Sequence, residues 1–501
     1  MKIGRIVLVV GVAFLFGATS AIAAIIKVPA DYGTIQQAID NAHNGDVIKL
    51  AANTTFTEEI IIDSFKRLQL IGGGPTTVID GTGGIGDAVT ITNSEKVILQ
   101  NFTITNGSQY NIFINNCKRM KISHCTISNS ASNGIVYGEG YGLNISNNQI
   151  KDNTGAGILF SSPSHNNKIT HNTIQGNGSY GINHSYGIKD LIAYNDVHGN
   201  GGSGIYNGYG YYLRIMSNTV TDNAGGGIHD AASAGLRNKI MRNTVASNGG
   251  YGIYVYQSAM VLRNVVADNG SYGIYIDYYG GSVVMGKTIT HNGSSGLFAA
   301  YCNYVSRNTA DNNNGYGIAT LGYGSSILHN RTTNNAGDGI YNYYPSVVIS
   351  RNFSNGNGGN GISSNNSSVV VTNNISTNNA GDGIYGNGYG NFAANNLSAH
   401  NQGNGVAADT QGVYQRNRVF GNAGDGITDI SYCLVRNNVV RNNTGNGLNA
   451  AGNTDNMIRR NIVKGNGDGL TSFDLNDDTP PNDYWIDNKY DTASWQVVPP
   501  V

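Results

Sequence analysis

Charge is scarce in this chain. Asp, Glu, Lys and Arg make up 12% of 501 residues, and the formal net charge is −1. A balance so close to neutral offers no field that would gather nucleic acid or anionic lipid. Cysteine is scarce as well. Cys117, Cys125, Cys302 and Cys433 show no C-x-x-C spacing, so nothing resembles a zinc site. Cys302 and Cys433 are too far apart in the repeat described below to pair. Cys117 and Cys125 could form a disulfide in an oxidising compartment; buried free thiols are the plainer alternative. Beyond the N-terminus, no segment is apolar enough to cross a membrane.

What is present begins with an export pattern. Met1-Lys2-Ile3-Gly4-Arg5 is a basic start, an apolar run follows from Ile6 to Phe16, and small residues end in Ala21-Ile22-Ala23-Ala24. This reads as a secretory signal with cleavage after Ala23. A membrane anchor is the alternative, but the run is short for a bilayer. The expectation is a secreted or periplasmic protein with no membrane insertion after cleavage.

The strongest signal is internal repetition. Glycine supplies 70 residues, and a Gly followed by an aliphatic residue recurs sixteen times, from Gly134-Ile135 to Gly469-Leu470, at spacings of 21 to 25. The aliphatic member is Ile twelve times, Leu three times and Val once. Asn recurs in register at 148, 172, 195, 218, 243, 264 and onward to 461, each followed five residues later by a second Asn. Lys287 stands where one of these Asn residues is expected. An aliphatic column three residues earlier runs from Ile145 to Ile458.

Each segment between punctuation marks is short and β-branched, which favours strands over helices. Three strands per repeat make a triangular coil, and coils stack with parallel strands about 4.8 Å apart. Inward residues then form aliphatic columns that no coil could bury alone. Glycine is expected where the chain turns with positive φ. Stacked Asn side chains are expected to hydrogen-bond from coil to coil. One inward column falls from Ile150, Ile174, Val197 and Val220 to Ala310, Thr332, Ser354, Ser376 and Ser398. That leaves open a narrowed core or a shifted register.

The opening segment Val28-Pro29-Ala30-Asp31-Tyr32, continuing to Leu50, resembles the start of pectin-lyase-like β-helix proteins. There a short amphipathic helix, here about Thr34 to Ala42, plugs the first coil. The repeats are similar to those shared by secreted polysaccharide lyases, hydrolases, alginate epimerases and periplasmic NosD-type proteins. The stretch from Asn482 to Tyr490 looks like the family's closing segment. The resemblance implies an all-β fold: a single-stranded right-handed parallel β-helix, a solenoid of about 20 coils of about 22 residues, roughly 95 Å long. The expected divisions are a signal peptide over 1–23, an N-terminal cap over 24–59, the β-helix over 60–470 and a C-terminal cap over 471–501.

The resemblance also implies a polysaccharide bound along an outer face, so the chemistry is expected in the outward columns. The position two after the repeat Gly carries Tyr206, His229, Tyr254, Tyr275 and Phe298. Stacked rings form a strip suited to the flat faces of sugars; a stack that only stiffens the face is the alternative. His229, Asp230 and Tyr254 are candidate catalytic residues, a base and acids for proton abstraction beside a uronic carboxylate. His184, Tyr206, Tyr275 and Asp277 are candidate substrate contacts. Arg242 and Arg263, each before a ladder Asn, could hold an acidic glycan; a solvated charge column is the alternative. In the later coils the residue before the repeat Gly alternates from Asp338 and Asn360 to Asn446 and Asp468. Turn formation is the plain reading and calcium the sharper one, although the nonapeptide spacing of calcium-binding β-rolls is absent.

Other signatures are missing: a D-P-H-D segment like that of alginate epimerases, a compact Asp triplet like that of polygalacturonases, and a histidine cluster for copper. The leading expectation is a protein that binds or modifies an extracellular polysaccharide, as a uronate lyase, epimerase or glycoside hydrolase if it is an enzyme. A purely structural or adhesive surface protein and a NosD-like periplasmic accessory protein remain as alternatives.

Overall fold

The computed structural model describes residues 23–233, 238–277, 281–450, 452, 455–468, 470–477 and 483–494. The expected signal, save its last residue, lies outside them. The described chain is a right-handed parallel β-helix. A typical coil runs through Ile253–Val255, Ala259–Leu262 and Val265–Ala267. Each strand pairs in parallel with its counterpart one coil on. We term the three ladders the first, second and third sheets in that order. The second holds 21 strands and the others 19 each.

Alternation along such short strands decides what is buried. Ile253 and Val255 point inward and Tyr254 outward in the first sheet, while Val261 and Val266 are the inward residues of the other two. Register places Ile228, Ile253, Ile274 and Leu297 in one fully buried file. Each such side chain contributes about 1.5–3 kcal/mol on burial.

The repeat glycines serve a different purpose from the expected one. Among the described residues, none of the repeat glycines has positive φ; the left-handed positions lie elsewhere, at residues such as Asn129, Asp222 and Arg242 and at other glycines such as Gly176 and Gly199. The Gly is required by close approach. A Cβ on Gly252 would lie 2.4 Å from Val266 Cγ1 and 2.6 Å from the Gly273 carbonyl oxygen.

The two Asn columns form the expected ladders. Asn195 Nδ2 donates to Asn218 Oδ1 at 3.0 Å, and Asn218 Nδ2 donates to Asn243 Oδ1 at 3.0 Å. The same Nδ2 atoms also reach backbone carbonyls, as Asn218 does at Ile192 O. Lys287 breaks one column: its Nζ is buried and has no hydrogen-bond partner, and burial pushes its pKa down to about 6.

The serine stretch keeps its register, Thr332 pairing with Ser354, Ser354 with Ser376, and Ser376 with Ser398. The hydroxyls of Ser354, Ser376 and Ser398 donate to the carbonyls of Gly361, Gly383 and Gly405. Hydroxyls thus replace methyl groups in the third sheet, while the aliphatic files of the other two continue through Ile318, Ile340 and Ile362 and through Val305, Ile327 and Ile349.

The plug helix is Ile35–Asp40, with Thr34 as its N-cap and Ile35, Ala38 and Ile39 buried. Parallel pairing starts earlier than the expected boundary at residue 60: Ile25–Val28 already pairs with Val47–Leu50. At the other end the expected coil at Gly469-Leu470 is corrected. Leu475 continues the inward file by pairing with Leu448, while Leu470 is 83% exposed. Tyr484–Ile486 adds a last strand beside Met457–Arg459, and the buried Trp485 donates its indole N–H to Asp477 Oδ2 at 3.1 Å. Cys117, Cys125 and Cys433 are buried free thiols. Among the described residues, no helix is long and apolar enough to cross a membrane.

Candidate functional site

The outward column of the first sheet is an aromatic strip. Register aligns Tyr206 with His229, His229 with Tyr254, Tyr254 with Tyr275 and Tyr275 with Phe298. Ring centroids are 5.2, 4.4, 5.7 and 5.0 Å apart in that order. Tyr254, Tyr275 and Phe298 stack with nearly parallel rings, at 7° and 4°. Parallel strands set this spacing, and aromatic side chains favour strand positions.

A second row of rings widens the strip. Tyr180 stacks on Tyr206 at 4.8 Å, Tyr251 lies 5.3 Å from Tyr275, and Tyr272 lies 5.5 Å from Phe298. Reading outward columns by alternation missed these residues, because they sit in the turn just before the repeat Gly. The signal was available as Tyr-Gly-Ile-Tyr at both 251–254 and 272–275.

Within the strip, the Tyr254 hydroxyl donates to Asp277 Oδ2 at 2.7 Å. Burial and this carboxylate hold the phenol well above its ordinary pKa, so it stays protonated. Burial lowers the pKa of His229, favouring the neutral imidazole at pH 7. His229, Tyr254 and Asp277 therefore converge, with a neutral ring and a protonated phenol side by side.

Two expected site residues are turned the other way. Asp230 follows His229 in the strand, so alternation sends it inward, where it is 1% exposed. It accepts from Asn207 Nδ2 at 2.7 Å and from Asn238 Nδ2 at 3.0 Å, and burial pushes its pKa up to about 6. His184 is wholly buried, its Nε2 lying 2.8 Å from Asp190 Oδ2. Both residues pin the corner between the first and second sheets, and neither can meet a ligand on the outer face. Arg242 and Arg263 are exposed but sit in the turn between second- and third-sheet strands, on another edge of the triangle.

The Asp/Asn column before the later repeat glycines is a backbone-capping ladder. Asp338 Oδ1 accepts from Asn360 N at 2.6 Å, and Asp382 Oδ1 from Asn404 N at 2.6 Å. Turn capping thus accounts for these carboxylates. Among the described residues, no group of three or more His, Cys, Asp or Glu side chains is placed to hold a metal ion.

No curated protein matches the sequence. Among solved structures, the Dettilon tailspike protein is 17% identical with a TM-score of 0.41, over 62% of this chain and 70% of that one. An alginate lyase from Paenibacillus sp. str. FPU-7 is 15% identical with a TM-score of 0.34, over 54% of this chain and 95% of that one. The A-module of Azotobacter vinelandii mannuronan C-5 epimerase AlgE6 is 14% identical with a TM-score of 0.31, over 79% and 93%. The family model described as right handed beta helix region matches residues 76–187, 112–264, 237–353 and 346–479, which together cover most of the sequence. Repeat, register and family match agree, and the chain belongs to the right-handed beta helix region family.

Proposed function

We propose that this protein is exported and binds an extracellular polysaccharide along the aromatic strip of the first sheet. The observation that carries the reading is the continuous file Tyr206–His229–Tyr254–Tyr275–Phe298, widened by Tyr180, Tyr251 and Tyr272. Rings in a row present apolar faces that match the C–H faces of sugars, and the Asp277 carboxylate adds a polar contact at the edge. A rod of stacked coils also suits a long, thin ligand better than a compact one. An array of neutral and acidic glycans tests the reading. Binding that is lost in Tyr254→Ala with Tyr275→Ala supports it; no binding to any glycan rejects it.

A second reading, catalysis, is favoured by the neutral His229 imidazole beside the protonated Tyr254 phenol. In a uronate lyase or epimerase, His229 would take the proton beside the carboxylate and Tyr254 would supply one. Asp277, not Asp230, would then be the carboxylate that orients the acid. Appearance of unsaturated-uronate absorbance, abolished in His229→Ala, would establish lyase chemistry. Binding without turnover would leave the strip a recognition surface.

A further inference from the structure

The coils near the N-terminus carry a feature that the aromatic strip does not explain. Between residues 66 and 211 the chain adds a narrow ribbon ahead of the second sheet. Its strands are Cys117–Lys118, Gly140–Tyr141, Ser164–His165 and Gly187–Ile188, extended by bridges at Lys66, Glu95 and Tyr211. The turns that lead from this ribbon into the second sheet, together with residues of that sheet, line a groove of about 620 Å³.

The lining is strongly one-signed. Arg67, Lys96, Arg119, Lys121 and Lys168 line the groove, and no carboxylate does. The whole chain has 30 basic against 31 acidic residues, so five cations here are a local concentration. Glu95 stands on the rim, 3.2 Å from Lys96 and 3.3 Å from Arg119, and one carboxylate against five cations leaves an excess of positive charge. Gly142 turns this corner with φ +74, the left-handed conformation that glycine adopts without strain. On the ribbon beside it, Tyr141 and His165 stack at 5.3 Å, with the Arg119 guanidinium 5.8 Å from the Tyr141 ring.

We propose that this groove is a second binding site, which takes a linear acidic polysaccharide lying along the solenoid axis. The cations are spread over five coils, a span of roughly 19 Å. Lys121 and Lys168 stand two coils apart in register, about 10 Å. A single small anion would engage only part of this row, whereas a chain with repeated carboxylate or sulfate groups can meet cations along its whole length. The Tyr141–His165 stack supplies a sugar-facing edge at the same wall. A nucleic acid is less well matched, because the chain has no overall basic surplus. The site lies on different strands from the aromatic strip and does not depend on it.

The test uses the whole protein and three probes: polygalacturonate, dextran sulfate and neutral dextran. Affinity is measured across a salt series for the native chain and for Lys121→Gln/Lys168→Gln. The expected result is polyanion binding that weakens with salt, with roughly tenfold loss and a shallower salt dependence in the double variant. Preference between the carboxylate and sulfate polymers identifies the acidic group. Arg242→Gln/Arg263→Gln, which removes two cations from another edge, should bind as the native chain does. Lys168→Glu guards against compensation by neighbouring lysines and should lose at least as much as Lys168→Gln. Equal binding by native and Lys121/Lys168 variants overturns the proposal. So does equal loss in the Arg242/Arg263 control, or tighter binding of a single-stranded oligonucleotide than of either polyanion.

Discussion

Tyr254 and Asp277 are joined across one turn of the solenoid, the phenol of one coil donating to the carboxylate of the next at 2.7 Å. The bond anchors a ring that stacks nearly parallel to Tyr275, which in turn stacks on Phe298, at the centre of the strip. It also makes stacking and proton donation separable by substitution.

Tyr254→Phe keeps the ring and removes the donor. If the strip works by stacking, glycan affinity stays within about twofold, while Tyr254→Ala loses about tenfold, the value of one well-placed aromatic contact. Titration calorimetry on both variants measures the difference. A tenfold loss in Tyr254→Phe would transfer the role from the ring face to the hydroxyl.

His229 gives the site a pH dependence with a definite sign. Its folded-state pKa is lowered by burial, so the unfolded chain binds the proton more readily. Stability contributed at this position is therefore lost as pH falls through and below the ordinary histidine range, and a ligand that buries the ring further will favour the neutral form. Glycan affinity is expected to drop on acidification in the native chain and to stay flat in His229→Phe. Binding curves from about pH 8 down to about pH 4.5 check this.

Lys287 is a charged-type residue in a column built for amides. Lys287→Asn restores a ladder member between Asn264 and Asn308, and removes a buried amine that has no partner. The expected gain at pH 7 is about 1–3 kcal/mol. The folded amine titrates near 6 against 10.5 in the reference state. The unfolded chain thus binds more protons between those values, and native stability rises with pH there. The advantage of the variant should shrink as the pH approaches 10. Thermal unfolding at neutral and alkaline pH distinguishes this from a uniform gain.

Gly252→Ala places a methyl group against Val266 and the Gly273 carbonyl. Overpacking of this kind costs about 1–3 kcal/mol. Because each coil contacts mainly its neighbours, the loss should be local. Amide hydrogen exchange should quicken around 240–290 and stay unchanged near the N-terminal helix.

The coil, its period and its ladders were legible because they repeat. Each Gly-Ile step and each Asn pair appears in coil after coil, and period-2 alternation then assigns Ile253 inward and Tyr254 outward without any coordinates. The register of the serine column was not legible: Ser354 could be a core residue or the sign of a slip, and only the hydroxyl bond to Gly361 shows that it stays inside. The reason for the repeat glycine was also misassigned, since sequence shows where Gly recurs but not which atom approaches it.

Sequence alone therefore determined the solenoid and the aromatic file on one of its faces, because identical side chains at identical phase must stack. Tertiary structure decided which chemistry-bearing residues share that face. The turn from the first to the second sheet differs in length from coil to coil. Alternation turns Asp230 and His184 inward at the ends of their strands and the corner supplies Asn238 and Asp190 as their partners, while the turn before the repeat Gly brings Tyr251 and Tyr272 out beside the strip. The basic groove likewise exists only because stacking of successive coils gathers Arg67, Lys96, Arg119, Lys121 and Lys168, which are spread over a hundred residues of chain.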